Sequence, residues 1–209
     1  LAKNLLYGGG PSDGGFPPKT LLRAIVIGSI PIGVLVVLGK QWIHGSARSL
    51  WVIAGALIVV GVLLWVVERR ARGSRKESDL LVADGWWVGL AQSLALVPGV
   101  SRSGISIGAG LIRGMERQTA ARFSFLLGIP ALCAAGFFEL YEIRAEITAD
   151  RAWFLLAGVG AAFVSSYLAI DGLLRYLKTR TVIPFAVYRI ALGTVIVGML
   201  AWGSLSPLE

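Results

Sequence analysis

The chain has 209 residues, of which 56% are hydrophobic and 15% are charged, and its net charge is +8. Soluble domains carry about 25% charged residues, so this composition excludes an ordinary soluble domain and indicates an all-α, polytopic membrane protein. We expect residues 1–209 to pack as a single transmembrane helical domain. The one cysteine, Cys133, lies in an apolar segment, which excludes a disulfide framework or a cysteine-based metal site.

Six segments of the chain reach or approach the roughly 20 apolar residues that a membrane span requires. Before them, a Gly/Pro-rich stretch at residues 8–18 predicts a flexible loop over residues 1–20. One of the six, Leu81–Ile112, differs from the other five because a polar turn interrupts it near its middle. The five full spans are predicted at Leu21–Gly39, Leu50–Val67, Thr119–Leu140, Ala152–Leu174 and Val182–Trp202.

The loop at residues 68–80 sets the expected orientation because it is strongly basic. Under the positive-inside rule it faces the cytoplasm, and since it adjoins membrane spans we do not expect a nucleic acid as its partner. The loop at residues 173–181 is also basic and lies on the same side. Counting crossings then places both ends of residues 81–112 on the cytoplasmic side. This segment is therefore predicted to be a re-entrant hairpin whose tip, Pro98–Gly104, lies near mid-membrane.

The sequence of the tip, PGVSRSG, explains how such a hairpin can turn. Pro98 is expected to end the descending half-helix, and Gly99 permits the turn. Either Ser101 or Ser103 can cap the ascending half-helix. The free N–H groups and the positive dipole end of that helix then point at the tip, which makes the tip an anion site.

Arg102 adds a permanent charge to the tip, and its planar fork suits phosphate oxygens. Gly104 is small enough to let a phosphate or another helix approach closely. The alternative is a Pro/Gly-kinked helix in which Arg102 pairs with a carboxylate. Gln92 either hydrogen-bonds a ligand or makes a packing contact. Arg189 is either a second phosphate ligand or an interface residue that snorkels toward the headgroups.

The candidate site therefore has two groups of residues and no assigned metal ligand. The candidate catalytic residues are Arg102, Ser101 and Ser103. The candidate substrate-binding residues are Gly99, Gly104, Gln92 and Arg189.

Three motifs occur in a fixed order: PGVSRSG at Pro98–Gly104, FSFLLGIP at Phe123–Pro130 and IPFAVYR at Ile183–Arg189. Together they resemble the bacterial undecaprenyl-diphosphatase family, the bacitracin-resistance type of membrane phosphatase, from about residue 20 to the end. The resemblance implies a hydrolase of the bacterial inner membrane. It would convert undecaprenyl diphosphate to undecaprenyl phosphate and inorganic phosphate, which recycles the lipid carrier of cell-wall synthesis.

The resemblance also implies an inverted repeat in which two re-entrant hairpins meet at a pocket that opens outward. It implies a divalent cation, Mg²⁺ or Ca²⁺, and a polyprenyl diphosphate lipid as the substrate, and it leaves a homodimer open. The first motif of the family, a glutamate-rich half-helix followed by P-x-S-S-T-G-H, does not occur in these 209 residues. The ligands of the cation are therefore not expected in this chain. Either an N-terminal part precedes Leu1, which the early Gly/Pro loop favours, or the protein is inactive as a phosphatase.

Two other functions remain compatible with the sequence. A transporter or flippase of an anionic lipid would bind a phosphate at the same tip without cleaving it. A structural or signalling membrane protein with a kinked helix would bind no ligand there.

Overall fold

The structure, a computed structural model, describes residues 15–38, 49–71, 73–144 and 147–206. Within these ranges the chain is helical apart from connecting turns and one isolated bridge. Two short 3₁₀ turns occur, at Glu77–Asp79 and at Leu94–Leu96. The α-helices are α1 Pro18–Leu38, α2 Leu50–Arg70, α3 Val82–Ser93, α4 Arg102–Ile112, α5 Arg117–Ile143, α6 Ala149–Tyr176 and α7 Ile183–Ala201.

Five of these helices, α1, α2, α5, α6 and α7, are long and apolar enough to cross a membrane. The prediction of an all-α, multi-pass membrane protein is therefore confirmed, and the ends of the described helices lie within three residues of the predicted span ends. The expected loop at residues 1–20 is wrong in its last part, because α1 already begins at Pro18. The fixed φ of proline and its missing N–H suit the first position of a helix. Residues 1–14 of that loop lie outside the described residues.

The interrupted segment is a hairpin, as its flanking charges predict. Asp84 lies in the first turn of α3, and Arg113 directly follows α4, yet Arg113 Nε and Asp84 Oδ1 are 2.9 Å apart. Both ends of the segment therefore lie on one side of the bundle, called the basic side below. Since α4 has 11 residues, it rises by about 16 Å. The hydrocarbon core is about 30 Å thick, so the tip of the hairpin lies near mid-depth.

The descending half-helix ends earlier than predicted. α3 stops at Ser93, and the chain tightens into the 3₁₀ turn over Leu94–Leu96 well before Pro98. A proline pushes the residue before it toward extended backbone, and Val97 has ψ 121°. Pro98 therefore acts on the end of the 3₁₀ turn, whereas the α-helix has already ended at Ser93.

The hairpin packs against α1 through backbone contact. A Cβ atom on Gly85 would lie 2.2 Å from the carbonyl oxygen of Ala24, and one on Gly89 would lie 2.1 Å from that of Gly28. Small residues let membrane helices approach this closely. The same device joins α2 to α7, where a Cβ on Gly61 would lie 3.0 Å from the carbonyl oxygen of Ala186. The tip is thus held within a tightly packed group of helices.

The first prediction tests the hairpin topology in the membrane. Single cysteines replacing Ser74 and Gln118, in a Cys133→Ser background, should be labelled by an impermeant thiol reagent from the same side. A cysteine replacing Ser204 should be labelled from the opposite side, because α5, α6 and α7 make three crossings between Gln118 and Ser204. If Ser74 and Gln118 were labelled from opposite sides, residues 81–112 would span the membrane and the hairpin would be wrong.

Candidate functional site

Ser101 forms the beginning of α4. Its Oγ accepts a hydrogen bond of 3.3 Å from the backbone N–H of Gly104, so the cap is Ser101 and not Ser103. Ser101 has φ +62°, in the left-handed region that favours glycine. Such a conformation costs about 1–3 kcal/mol and persists only where the surrounding structure holds it. The turn at the tip therefore places a strained, capped helix start at mid-depth.

The N-terminus of α4 has donors to offer a ligand. The first N–H groups of an α-helix lack intrahelical acceptors, and they carry the positive end of the helix dipole. The Ser101 cap takes only the N–H of Gly104. The N–H groups of Arg102 and Ser103 precede it in the same turn and face the start of the helix. This arrangement can bind an anion.

Arg102 is held by a backbone carbonyl. Its Nη1 donates a hydrogen bond of 2.8 Å to the carbonyl oxygen of Gly128 in α5. The guanidinium occupies the space of a side chain at residue 128, because a Cβ atom there would lie 2.3 Å from Nη2 of Arg102. The alternative in which Arg102 pairs with a carboxylate does not fit the described residues, whose ion pairs involve other arginines.

Arg189 reaches the same tip from α7. Its Nη2 donates to the carbonyl oxygens of Gly99, at 2.6 Å, and Val100, at 3.1 Å. Its Nε is buried and has no hydrogen-bond partner among the described residues. A guanidinium bound to the tip does not snorkel to the headgroups. Gly99 makes the turn possible, since it has φ +89° and a Cβ there would lie 2.6 Å from the carbonyl oxygen of Ile53.

A cavity of about 240 Å³ adjoins the start of α4. The structure brings four of the candidate site residues together at the polar end of this cavity. They are Ser101, Ser103, Gly104 and Arg189. Its remaining wall is apolar and comes from α2, α4, α6 and α7. A cavity with a cationic, hydroxyl-bearing end and an apolar body suits an anionic amphiphile. The apolar wall includes Leu64, Ile107, Leu173, Phe185 and Tyr188.

Arg102 and Gln92 are not among the residues that line this cavity. Arg102 instead faces α5 through its contact with Gly128. Gln92 is fully buried on α3, and neither its Nε2 nor its Oε1 has a hydrogen-bond partner in the described part of the chain. A buried polar group left unpaired costs about 1–3 kcal/mol. The amide is therefore available to a polar partner, and both sequence interpretations of Gln92 stay predictions.

The carboxylates of the hairpin region lie on the basic side. Asp84 is buried and binds Arg75 and Arg113, and Glu68 binds Arg117. Burial alone would raise the pKa of Asp84, but hydrogen bonds from Arg75, the Leu81 N–H and Arg113 outweigh it and lower that pKa below its usual range.

The described residues contain no group of three or more His, Cys, Asp or Glu side chains that could hold a metal ion. The tip offers guanidinium groups, hydroxyls and N–H donors. These groups suit an anion and do not by themselves fit a divalent cation, which prefers carboxylate and carbonyl oxygens.

Sequence reasoning missed two residues of this region. Gly128 lies in the motif FSFLLGIP, but only the structure shows that the Arg102 guanidinium occupies the space beside it. Asp84 gave a usable signal, because it is an acidic residue near the start of an apolar segment whose two ends were placed on one side. Its partner could have been sought among the basic residues after Ile112.

Comparison with known proteins agrees with this geometry. The family model described as "Bacitracin resistance protein BacA" matches residues 14–195. Proteins named "Undecaprenyl-diphosphatase" from Myxococcus xanthus and Clavibacter michiganensis are 45% and 41% identical to the chain, over 88% and 96% of it. The chain spans 62% of the length of the first relative and 73% of the second.

The second prediction concerns the unpaired amide. Gln92→Leu should stabilise the protein by about 1–3 kcal/mol, because it removes a buried polar group without a partner and keeps a similar volume. Thermal unfolding in detergent measures the change. Ser106→Ala is the matched control, since the Ser106 hydroxyl is equally buried but donates a 2.8 Å bond to the Arg102 carbonyl. Loss of stability in Gln92→Leu would mean that the amide has a partner within the folded protein.

Proposed function

This chain belongs to the bacitracin resistance protein BacA family, and on that basis we propose that it hydrolyses undecaprenyl diphosphate to undecaprenyl phosphate and inorganic phosphate. One observation carries the proposal. The guanidinium groups of Arg102 and Arg189 lie at the mid-depth tip of the hairpin and are bound to carbonyl oxygens. No carboxylate of the described residues forms an ion pair with either of them. Charge at this depth is expensive, and an anionic ligand offsets that cost.

The proposal includes a location and an orientation. The enzyme lies in the bacterial inner membrane with its basic side toward the cytoplasm, because the loops at residues 68–80 and 173–181 carry its clusters of Lys and Arg. The hairpin then enters from the cytoplasmic side. The family resemblance supports a pocket that opens outward, whereas the described cavity runs from the tip toward Leu173 and Phe185 at the basic-side ends of α6 and α7.

Phosphoryl transfer requires positioning and stabilisation of the charge on the phosphoryl oxygens. The N–H groups at the start of α4 would supply both together with the Arg102 guanidinium, which the Gly128 carbonyl holds on the α5 side of the tip before the ligand arrives. Preorganised donors of this kind are effective because they need no rearrangement in the transition state. Arg189 holds the tip through the Gly99 and Val100 carbonyls and brings a second positive charge to the cavity. The apolar wall of the cavity receives the first part of the prenyl chain.

The two serines have different roles in this proposal. Ser101 is occupied as the cap of α4, so Ser103 is the hydroxyl that remains to orient the phosphate or attack it. Attack by Ser103 on the terminal phosphorus would form a phosphoserine and release undecaprenyl phosphate, and water would then cleave the phosphoserine. Direct attack by water would form none. Mass spectrometry of the quenched enzyme separates the two routes.

A divalent cation, Mg²⁺ or Ca²⁺, is also proposed from the family resemblance. It would have to take ligands beyond the described residues, which do not fit it. The roles proposed for Arg102, Arg189 and Ser103 require only groups of this chain.

A carrier for an anionic lipid would use the same tip, because half-helices that end at the membrane midplane also bind substrates in transporters. Release of phosphate by the detergent-solubilised full-length protein decides between the two functions. An enzyme turns over without a membrane to cross, whereas a carrier releases no phosphate.

The third prediction concerns Arg102. In the full-length protein Arg102→Lys should lower kcat/KM by on the order of 10²-fold, about 3 kcal/mol, because lysine keeps the charge but loses the fork. Phosphate release from a polyprenyl diphosphate is the assay, with folding checked by size-exclusion chromatography. A folded Arg102→Lys enzyme with near-normal turnover would remove Arg102 from the active site.

The fourth prediction moves Arg102 without replacing it. In Gly128→Ala the new methyl group would overlap the guanidinium atoms, which lie 2.3–2.7 Å from the Cβ position. The guanidinium is the flexible end of a side chain, so the protein should still fold while kcat/KM falls by about 10-fold or more.

Gly136→Ala on the same helix is the matched control, because nothing lies within 4 Å of its Cβ position. Its activity should be unchanged. Equal activities of the two variants would show that the contact between Arg102 and Gly128 is not needed for catalysis.

A further inference from the structure

The two ends of the hairpin are joined on the basic side by three charged residues, Arg75, Asp84 and Arg113, called the clasp below. Asp84 Oδ2 accepts from Arg75 Nη2 at 2.6 Å, and Asp84 Oδ1 accepts from Arg113 Nε at 2.9 Å. Arg75 Nη1 also donates to the carbonyl oxygen of Arg113, at 2.8 Å. The clasp therefore links the beginning of α3, the end of α4 and the loop that precedes the hairpin.

Backbone hydrogen bonds extend the clasp. The N–H of Arg75 donates to the Gly114 carbonyl at 3.0 Å, and the N–H of Glu116 donates to the Arg75 carbonyl at 2.9 Å. Gly114 has φ +79°, and a Cβ atom on Gly73 would lie 2.1 Å from the carbonyl oxygen of Met115. Both segments are therefore shaped to lie against each other, and the feet of the hairpin form one unit.

α3 is also held by its packing against α1. α3 meets α1 through Gly85 and Gly89, whose backbones touch those of Ala24 and Gly28. This packing is apolar and non-directional, and Val88 beside it is fully buried in the core. The clasp, by contrast, ties a fully buried carboxylate of α3 to the end of α4 through directional, charge-assisted bonds.

We propose that Asp84 is a positioning residue that sets the depth and register of the hairpin tip. The inference rests on the proposed function for its effect on turnover. Asp84 cannot touch the substrate, because the 11-residue helix α4 separates the clasp from Ser101 and Arg102, a distance of about 16 Å. Asp84 acts through the axial position of α3 and α4, which determines where the N–H groups at the start of α4 lie.

The experiment compares Asp84→Asn with a matched control, Glu68→Gln, in the full-length protein. Glu68 is also a buried carboxylate on the basic side, and its Oε1 accepts from Arg117 Nε at 2.6 Å, but this pair joins α2 to α5 and does not touch the hairpin. Two spin labels report the depth of the tip. One is attached at residue Leu94, which is exposed next to the tip, and the other at residue Ser204, beyond the far end of α7.

Asp84→Asn should broaden or shift the distance distribution between the two labels, and Glu68→Gln should leave it as in the parent. In the unlabelled proteins, Asp84→Asn should lower kcat by about 10-fold or more with KM changed less than twofold, because the tip still binds but is misplaced. An unchanged distance distribution in Asp84→Asn, or equal effects of the two variants on distance and kcat, would overturn the proposal.

Arg113→Gln is the second variant, for use if Asp84→Asn does not fold. It removes the side-chain bond between the end of α4 and Asp84, while Asp84 keeps its bonds to Arg75 and Arg75 keeps its bonds to the Arg113 and Gly114 carbonyls. The same broadening is expected, and its absence overturns the proposal. If the parent protein showed no diphosphatase activity, the proposed function would fail, but the label distances would still decide whether the clasp positions the tip.

Discussion

A guanidinium placed halfway through an apolar bundle is the constraint around which this part of the molecule is built. On insertion scales a charge at the bilayer centre costs about 2.5–3.5 kcal/mol, and irregular backbone at that depth must be covered by protein or reached by water. At the hairpin tip the protein both binds the charge and covers the irregular backbone. Arg102 binds the Gly128 carbonyl of α5, and the turn around Gly99 lies against α2. A continuous helix through Arg102 would have no free N–H groups beside the charge, whereas the re-entrant hairpin ends a helix at that depth.

The charges of the described region are divided between two levels. On the basic side, arginines and carboxylates neutralise one another, as in the pairs of Asp84 with Arg113 and of Glu68 with Arg117. At the tip, the partners of Arg102 and Arg189 among the described residues are carbonyl oxygens. A carbonyl dipole orients a guanidinium but does not cancel its charge. The tip therefore retains an electrostatic demand that an anion meets, and the ion pairs of the basic side hold the hairpin without competing for that anion.

Loop charge was enough to predict the hairpin, because the positions of Arg75 and Arg113 relative to the spans fix the side on which each end lies. It was not enough to choose between Ser101 and Ser103 as the cap, since both lie at the start of α4 and only the hydrogen bond from the Gly104 N–H to Ser101 Oγ decides. The end of α3 was misplaced for a different reason. A proline restricts the residue before it, and a 3₁₀ turn can absorb that restriction several residues after the helix has ended.

The sequence could name the residues of the tip but not their neighbours, because a close approach between helices is a property of the packed bundle. Gly128 looks like any small residue of a membrane helix until the guanidinium of Arg102 occupies the space of its missing side chain. The fold is accordingly tight on one side of the hairpin, where glycines bring α3 against α1. On the other side, a cavity lies between the start of α4 and the helices α6 and α7. The tightly packed side supplies the fixed position of the donors, and the cavity supplies the space in which a ligand can meet them.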